Sequence, residues 1–202
     1  MNVLELFSGT ESFSKEARKR GYETFTIDKD PRFNPDLVAD LSKPLDYSFS
    51  KPFDIIWASP PCNCFSVASI GKNWVKRGNG IYRPKRKEAL DAINLLRATR
   101  ALIKSVNPRF IIIENPRGMM RKMRTATYCQ YGDSRQKPTD LWTNFYFKAR
   151  SCRPRASCHE PAPRGSRTGT QGLKGSVARS VVPPALCNEI LDAIEKEVSS
   201  NA

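Results

Sequence analysis

Strand-like and helix-like segments alternate through the first two thirds of the chain. Apolar, β-branched runs typical of buried strands lie at 3–7, 22–28, 37–40, 53–59 and 109–115. Helical patterns lie between them at 12–21 and 86–106, and the longer one places Leu90, Ile93 and Ile103 near one apolar face. Because parallel strands are joined through covering helices, the alternation predicts an α/β fold with a mostly parallel sheet.

The 202 residues are enough for one domain with a stable core. The stretch 147–175 is rich in Pro, Gly, Ser and Arg and predicts a short irregular basic insertion. Within 176–202, an amphipathic pattern that starts at a proline predicts a closing helix over 183–198. We therefore expect a single domain over 1–202.

The charge balance favours a polyanionic partner. Lys and Arg number 34 against 20 Asp and Glu, a formal net charge of +14, and the excess is concentrated around 147–175. Such clusters gain affinity for nucleic acid by releasing phosphate counterions, so nucleic acid is favoured over a merely solvated face. No apolar stretch approaches the roughly 20 residues of a membrane span, and the N-terminus lacks a secretory pattern. These features predict a cytoplasmic protein with reduced cysteines.

Ligands of open α/β sheets bind beyond the carboxyl ends of the strands. The segments at these positions are "FSGTES", "DKD", "AD", "SPPCNCFS" and "ENPRG". Two prolines hold Cys62 just past a strand, which favours a nucleophilic thiol over a buried structural cysteine. Glu114 ends the apolar run "FIII", where a carboxyl group suits acid catalysis better than surface decoration.

In this order the motifs resemble those of the DNA cytosine-5 methyltransferases. "LELFSGTESFSKEA" is similar to the cofactor motif of that family, "ASPPCNCFS" to its Pro-Cys nucleophile motif and "IIIENP" to its Glu-Asn-Val motif. "YGDSRQK" and "RSVVPPALCNEI" resemble two later motifs, so the likeness covers nearly the whole chain except the basic insertion.

The resemblance implies a Rossmann-like S-adenosylmethionine-dependent methyltransferase fold. The implied reaction moves the methyl group of S-adenosylmethionine to carbon 5 of a flipped-out cytosine in double-stranded DNA, with the protein acting as a monomer. Cys62 would attack carbon 6 of the ring, and Glu114 would stabilise the charge that this attack creates. Arg135 and Lys137 would hold the base oxygen and the adjacent phosphate or thiolate.

The resemblance also implies a cofactor pocket that 176–202 completes. Asp28 would accept the ribose hydroxyls, and Asp40 would meet the adenine amine. The other implied pocket residues are Phe7, Ser8, Gly9, Thr10, Pro61 and Ser180. The expected DNA contacts are Ser66, Arg153, Arg155, Arg164 and Arg167.

The chain departs from the family pattern at several positions. Glu11 and Ser12 replace glycines of the cofactor motif, and Lys137 replaces the second arginine of its motif. Family members usually carry a longer recognition region than 147–174. These departures indicate a divergent phage, viral or mobile-element branch, in a bacterial or phage-infected cell.

Two other functions stay open at this point. Amino methyltransferases of DNA use an Asp/Asn/Ser-Pro-Pro-aromatic motif, of which "SPPC" keeps the first three letters but has Cys62 in place of the aromatic residue. The lost glycines would also suit a catalytically inactive DNA-binding relative. A zinc knuckle at Cys152, Cys158 and His159 is conceivable, but the spacing matches no standard ligand pair and no fourth ligand is evident. The sequence therefore predicts no metal.

Overall fold

The computed structural model describes residues 1–45, 47–78, 81–120, 123–153, 156–161, 169–170 and 172–200. The strands are β1 Asn2–Leu6, β2 Glu23–Asp28, β3 Leu37–Val38, β4 Ile55–Ala58, β5 Trp74–Lys76, β6 Tyr82–Pro84, β7 Phe110–Pro116, β8 Arg124–Thr127 and β9 Pro138–Thr143. The helices are α1 Ser12–Lys19, α2 Ile70–Asn73, α3 Lys87–Val106, α4 Ser176–Ser180 and α5 Pro184–Ser200.

Seven strands form one sheet in the order β3-β2-β1-β4-β7-β9-β8. β3, β2, β1, β4 and β7 run parallel, and β9 is antiparallel to both of its neighbours. From β1 the chain builds outward to β2 and β3 on one side and to β4 and β7 on the other, so a topological switch point lies between β1 and β4. The predicted α/β fold with a mostly parallel sheet is confirmed.

Side chains of the central strands point alternately to the two faces of the sheet, so each strand contributes to two cores. In β4, Ile55 and Trp57 belong to one core, and Ile56 and Ala58 belong to the other. α1 and α5 cover the first core, where Phe13 stacks on Trp57 with ring centroids 4.7 Å apart. α3 covers the second core. Because both faces are covered, the central strands are apolar throughout, except where an acidic residue replaces an apolar one.

α5 is fastened to the beginning of the domain by polar contacts as well as apolar ones. Arg20, just after α1, forms ion pairs with Asp192 at 2.7 Å and Glu195 at 3.1 Å. Its guanidinium also donates to the Asn188 side chain at 2.9 Å. These contacts hold the predicted closing helix against α1.

The structure corrects two details of the predicted elements. β8 and β9 were not predicted, because "RTAT" and "PTDLWT" are polar for strands that contribute to a core. Their buried polar groups pair with one another, as when the Thr125 hydroxyl donates to the Asp140 carboxylate at 2.5 Å. Leu90 is 47% exposed, and Ala89 lies on the buried face instead, where its small side chain packs in the cluster of Phe65 and Trp74.

Two further expectations concern the surface of the domain. The described residues of 147–175 contain no helix or strand, as predicted. Arg155, Arg164 and Arg167 lie outside the described residues. Within the described part of the chain, none of the helices combines the length and the apolar composition needed to cross a bilayer.

Candidate active site

A cavity of about 890 Å³ opens beyond the carboxyl ends of β1, β4 and β7. This is the edge at which the motifs predicted a site, beside the switch point of the sheet. The predicted site residues that line it are Phe7, Ser8, Gly9, Thr10, Pro61, Cys62, Ser66, Glu114, Lys137 and Ser180.

The loop that follows β1 has an unusual backbone. Phe7, Gly9 and Glu11 all adopt positive φ angles, of 58°, 45° and 54° respectively. For a bulky residue such as Phe7 this conformation is strained, and strain of this kind is concentrated at ligand sites. Glu11, which replaces a glycine of the family motif, still adopts the left-handed conformation that a glycine would allow. The lost glycine has therefore not abolished the turn.

Glu5 is a site residue that the sequence analysis missed. It is 2% exposed, lines the cavity, and accepts hydrogen bonds from the backbone N–H groups of Ser14 at 2.7 Å and Phe13 at 3.4 Å in the first turn of α1. Burial nevertheless raises the pKa of Glu5 from its ordinary value of 4.5 to about 7. An acidic residue inside the apolar run "VLELF" was the available signal.

The two predicted carboxylates of the cofactor pocket do not line the cavity. Asp28 lies just behind it, and its Oδ2 accepts from the Gly9 N–H at 2.9 Å, so this carboxylate shapes the loop after β1. Asp40 is exposed, and its Oδ1 accepts from the Ser42 N–H at 3.0 Å. That hydrogen bond lowers the pKa of Asp40 and directs the carboxylate into its own turn. The structure therefore lends no support to the predicted contact of Asp40 with adenine.

The loop after β4 presents Cys62 to the cavity. Its carbonyl oxygen accepts from the N–H groups of Phe65 at 2.9 Å and Ser66 at 3.0 Å, which closes a tight turn. Asn115 is fully buried and donates from its side-chain amide to the Pro60 carbonyl at 2.7 Å, bracing the two prolines. These contacts fix the backbone on both sides of the Cys62 side chain.

Two neighbours act on the Cys62 thiol in opposite directions. Burial and the nearby Glu114 carboxylate raise the pKa of the thiol, whereas Lys137 lowers it. In the free protein the first effects prevail, so the thiol form of Cys62 is favoured at neutral pH.

Glu114 is 6% exposed and also lines the cavity. Burial raises the pKa of its carboxyl group, which Lys137 and a hydrogen bond with Ser59 partly oppose. Among the described residues its Oε1 atom has no hydrogen-bond partner. A buried carboxyl oxygen without a partner is costly unless a ligand satisfies it.

The two predicted cations have different surroundings. Lys137 lines the cavity, where its ammonium donates to the Tyr128 hydroxyl at 3.1 Å and to the Arg179 carbonyl at 2.8 Å, and burial lowers its pKa. Arg135 does not line the cavity. Its guanidinium forms an ion pair with Asp133 and donates to the Val181 carbonyl at 3.1 Å.

The contacts of Arg135 seen in this structure are structural ones, and its predicted contact with the base stays a prediction. The guanidinium also donates to the carbonyls of Ala178 at 3.3 Å and Arg179 at 3.4 Å, so it holds the second half of α4 and the residue that follows it against the domain. Ser180, the last residue of α4, lines the cavity, and the Val182 N–H donates to the Ser12 hydroxyl at 3.1 Å. The C-terminal segment thus completes one wall of the cavity, next to the start of α1.

The described basic residues that line the cavity lie outside the predicted insertion and are Lys72, Arg117, Lys137 and Arg179. Arg153 is exposed and does not line the cavity. The antiparallel hairpin of β5 and β6 follows α2 and contacts the Cys62 loop, because the indole N–H of its buried Trp74 donates to the Cys64 carbonyl at 2.6 Å. Its exposed cations are Lys76, Arg77, Arg83 and Lys85. The run "KRGNGIYRPKRK" was the signal for this hairpin.

Comparisons with known proteins place the chain in a family. A family model described as C-5 cytosine-specific DNA methylase matches residues 1–131. A protein named "Probable DNA (cytosine-5)-methyltransferase" from Frog virus 3 (isolate Goorha) is 34% identical over 218 residues, covering 95% of this chain and 99% of that protein. A crystal structure described as a DNA modification methyltransferase encoded within an E. coli prophage shares 17% identity with a TM-score of 0.48, covering 71% of this chain and 46% of that one. The chain belongs to the family of C-5 cytosine-specific DNA methylases.

Proposed function

We propose that this protein methylates carbon 5 of cytosine in DNA, with Cys62 as the covalent nucleophile and S-adenosylmethionine as the methyl donor. The observation that carries the proposal is the meeting of Cys62, Glu114 and Lys137 in one cavity. The strained Phe7-Ser8-Gly9 loop forms another part of the wall of that cavity. We infer that the nucleophile, the acid and the donor site share this cavity.

The residues at the β1 end of the cavity suit the methyl donor. The Ser8 hydroxyl is buried and has no hydrogen-bond partner among the described residues, so it is available to a polar ligand. Gly9 brings backbone to the cavity wall without a side chain, and Asp28 fixes the Gly9 N–H. These groups, together with Phe7 and Ser180, would hold S-adenosylmethionine. When bound, it supplies an electrophilic methyl group.

Cys62 makes carbon 5 reactive by attacking carbon 6. The attack forms the bond between Sγ and carbon 6 and moves the ring electrons toward carbon 5 and N3. It requires the thiolate, and the ammonium of Lys137 is the buried cation that stabilises a negative charge at this position. Loss of the proton from the methylated carbon 5 then returns the electrons, breaks the bond to sulfur and restores the aromatic ring.

Glu114 stabilises the charge that the attack creates on the ring. Because burial raises the pKa of its carboxyl group, Glu114 holds a proton more readily than an exposed glutamate and can donate it toward N3 of cytosine. Its Oε1 atom, unpartnered among the described residues, can accept from the exocyclic amine. Thymine has a donor at N3 and an oxygen in place of the amine, so the same carboxyl group would select cytosine.

The polyanion is proposed to be duplex DNA, from which the target base is flipped into the cavity. A ring atom within the base stack cannot be reached by a thiol on a protein loop. The basic hairpin of β5 and β6 lies beside the Cys62 loop, where it can hold phosphates next to the flipped base. The described basic residues of the insertion would extend the same surface.

Covalent trapping tests the role of Cys62. DNA with 5-fluorocytosine at the target should form a stable adduct with the protein in the presence of S-adenosylmethionine, because fluorine blocks the elimination that releases the enzyme. Cys62→Ala should lose both the adduct and methylation but keep DNA binding. Cys64→Ser is the matched control, since Cys64 is buried outside the cavity and donates to the Glu88 carbonyl at 3.3 Å, a bond that serine can keep.

An adduct that persists in Cys62→Ala would refute the assignment of the nucleophile. Calorimetric titration of the wild-type protein with S-adenosylmethionine tests the remaining alternative, a catalytically inactive DNA-binding relative. A chain that binds DNA but neither S-adenosylmethionine nor the fluorinated base would be the inactive relative.

A further inference from the structure

Four potential metal ligands converge at the base of the basic insertion. The Sγ atoms of Cys129, Cys152 and Cys158 and a ring nitrogen of His159 all lie within 4.8 Å of one another. The sequence suggested only the last three. Cys129 lies in the 3-10 turn Tyr128–Tyr131, where an isolated cysteine reads as a core residue, and only the fold brings it to the others.

Four of the six distances between these atoms are close to the edges of a tetrahedron around a zinc ion. With Zn–S near 2.3 Å and Zn–N near 2.0 to 2.1 Å, edges of about 3.8 Å between sulfurs and about 3.6 Å between sulfur and nitrogen are expected. The observed Sγ to Sγ distances are 3.3 Å for Cys129 with Cys152 and 3.6 Å for Cys129 with Cys158. The Nδ1 atom of His159 lies 3.8 Å from the Cys152 sulfur and 3.6 Å from the Cys158 sulfur.

Backbone contacts hold the ligands together independently of their side chains. The Cys152 N–H donates to the Thr127 hydroxyl at 2.7 Å, and the Thr127 N–H donates to the Arg150 carbonyl at 3.0 Å. The Glu160 N–H donates to the Ser134 carbonyl at 3.0 Å, which fixes the chain just after His159. The cluster therefore belongs to the framework of β8 and its following turn.

Side-chain amides surround the sulfurs as donors. Gln130 Nε2 donates to the Cys158 sulfur at 3.2 Å, and Gln136 Nε2 donates to the Cys152 sulfur at 3.5 Å. Amide N–H groups directed at cysteine sulfur are typical of the outer shell of thiolate metal sites, which tune charge and orient the ligands.

We propose that Cys129, Cys152, Cys158 and His159 bind one structural Zn²⁺ ion. Three thiolates and one imidazole form a closed four-coordinate set that leaves no position for a catalytic water. On binding, the thiols release their three protons to solvent, and zinc keeps its oxidation state. Because Cys152 also lines the active-site cavity, the ion would fix the start of the basic insertion against the cavity wall.

The metal content of the purified protein tests the proposal without reference to methylation. We expect about one zinc per chain by elemental mass spectrometry, and a tetrahedral thiolate spectrum after replacement with Co²⁺. Cys158→Ser, at an exposed position, and His159→Gln should each lose at least tenfold in zinc affinity. Cys64→Ser, outside the cluster, should keep the full zinc content.

A further variant tests whether the side-chain amides around the sulfurs support zinc binding. Gln130→Leu removes the donor to Cys158 but no ligand, so zinc affinity should fall by about 10- to 100-fold while the fold is retained. Titration with a chromogenic chelator measures both effects.

Two results would overturn the proposal. One is a protein that binds no zinc and keeps all six thiols free on alkylation. The other is a disulfide between Cys129 and Cys152, detected by mass spectrometry under non-reducing conditions, in protein that was prepared with zinc and without oxidant.

Discussion

Glu5 and Glu114 are buried acids on the same face of the sheet. Glu5 is in register with Trp57, and Trp57 is in register with Ile112, two residues before Glu114. Side chains two residues apart share a face of a strand, so both acids lie on the side that α1 and α5 cover. Each replaces an apolar residue in its strand, and each has a raised pKa because of burial. In the candidate active site, these two acids are thus exceptions to the apolar pattern of the strands that carry them.

Glu114→Gln tests acid catalysis at this position. The amide has the same shape and keeps the fold, but it cannot deliver a proton to the ring. Methylation turnover should fall by about 100-fold or more, the contribution of general acid help, while DNA binding is unchanged. Steady-state methyl transfer and a binding titration measure the two quantities. Near-normal turnover would assign the acid to another residue.

Glu5→Gln should change how stability depends on pH. The folded protein holds the Glu5 proton up to a pKa of about 7, above the ordinary value of 4.5. The contribution of the Glu5 proton to the free energy of unfolding is therefore fully present below about pH 4.5. It is lost as the pH rises through about 7. At about 1.4 kcal/mol per pKa unit, the wild-type free energy of unfolding should fall by up to about 3 kcal/mol across this window.

Urea denaturation of the two proteins between pH 4.5 and 8 measures this dependence. Glutamine cannot ionise, so the curve of the variant should lack the fall that belongs to Glu5. Parallel curves for wild type and variant would place the titrating group elsewhere.

The loops after β4 and β7 touch each other at Gly118. Gly118 forms a bridge with Ser66, and the Met119 N–H donates to the Phe65 carbonyl at 2.7 Å. A Cβ atom on Gly118 would lie 1.9 Å from the Phe65 carbonyl oxygen. The loop that carries Cys62 is therefore seated directly on the backbone that follows Glu114.

Gly118→Ala should disturb this seating. The clash is with backbone, so the Phe65-Ser66 segment must move, and we expect a loss of about 1 to 3 kcal/mol in the free energy of unfolding. Methylation should fall as well, because Cys62 lies in the same turn. Gly71→Ala, where nothing lies within 4 Å of the added carbon, is the matched control and should have little effect on either measurement. Equal behaviour of the two variants would argue against the contact.

The parallel part of the sheet and the motifs at its carboxyl edge could be predicted from the sequence, because their signals are local. The apolar parts of β4 and β7 are continuous runs in the sequence. Cys62 lies in the loop that follows β4, and Glu114 comes directly after the apolar run of β7. The pairing of β8 with β9 could not be predicted, because the hydrogen bond between Thr125 and Asp140 forms only once the two strands lie side by side. The same holds for Arg135, whose carbonyl partners are more than 40 positions away in the chain.

At the scale of the whole molecule, the formal net charge is +14, and two groups of exposed cations differ in their position relative to the cavity. The β5-β6 hairpin carries exposed cations beside the Cys62 loop. α3 also carries exposed Arg100 and Lys104, but toward the end that leads into the start of β7, away from the cavity. A phosphate backbone that reaches the cavity would meet the first group and not the second.

DNA binding should therefore depend on salt through the hairpin. For duplex DNA, the slope of log K against log salt is about −0.9 for each phosphate contact. Substituting alanine for Lys76 and Arg83 together should make the slope shallower by about two. The same substitution at Arg100 and Lys104 removes equal charge and should leave the slope unchanged. Fluorescence anisotropy over a range of salt concentrations compares them, and equal slopes for the two double variants would exclude the hairpin as a phosphate site.

The fastening of α5 to α1 has a consequence for synthesis on the ribosome. Arg20 and its partner Asn188 are 168 positions apart, so at bacterial and eukaryotic elongation rates the nascent chain waits on the order of ten to thirty seconds between them. During that time the apolar side of α1, with Phe13 and Ala17, lacks the helix that covers it. The part of the cavity wall formed by Ser180 and Val182 is also absent until then. The growing polypeptide therefore exposes this apolar surface until α5 has been synthesised.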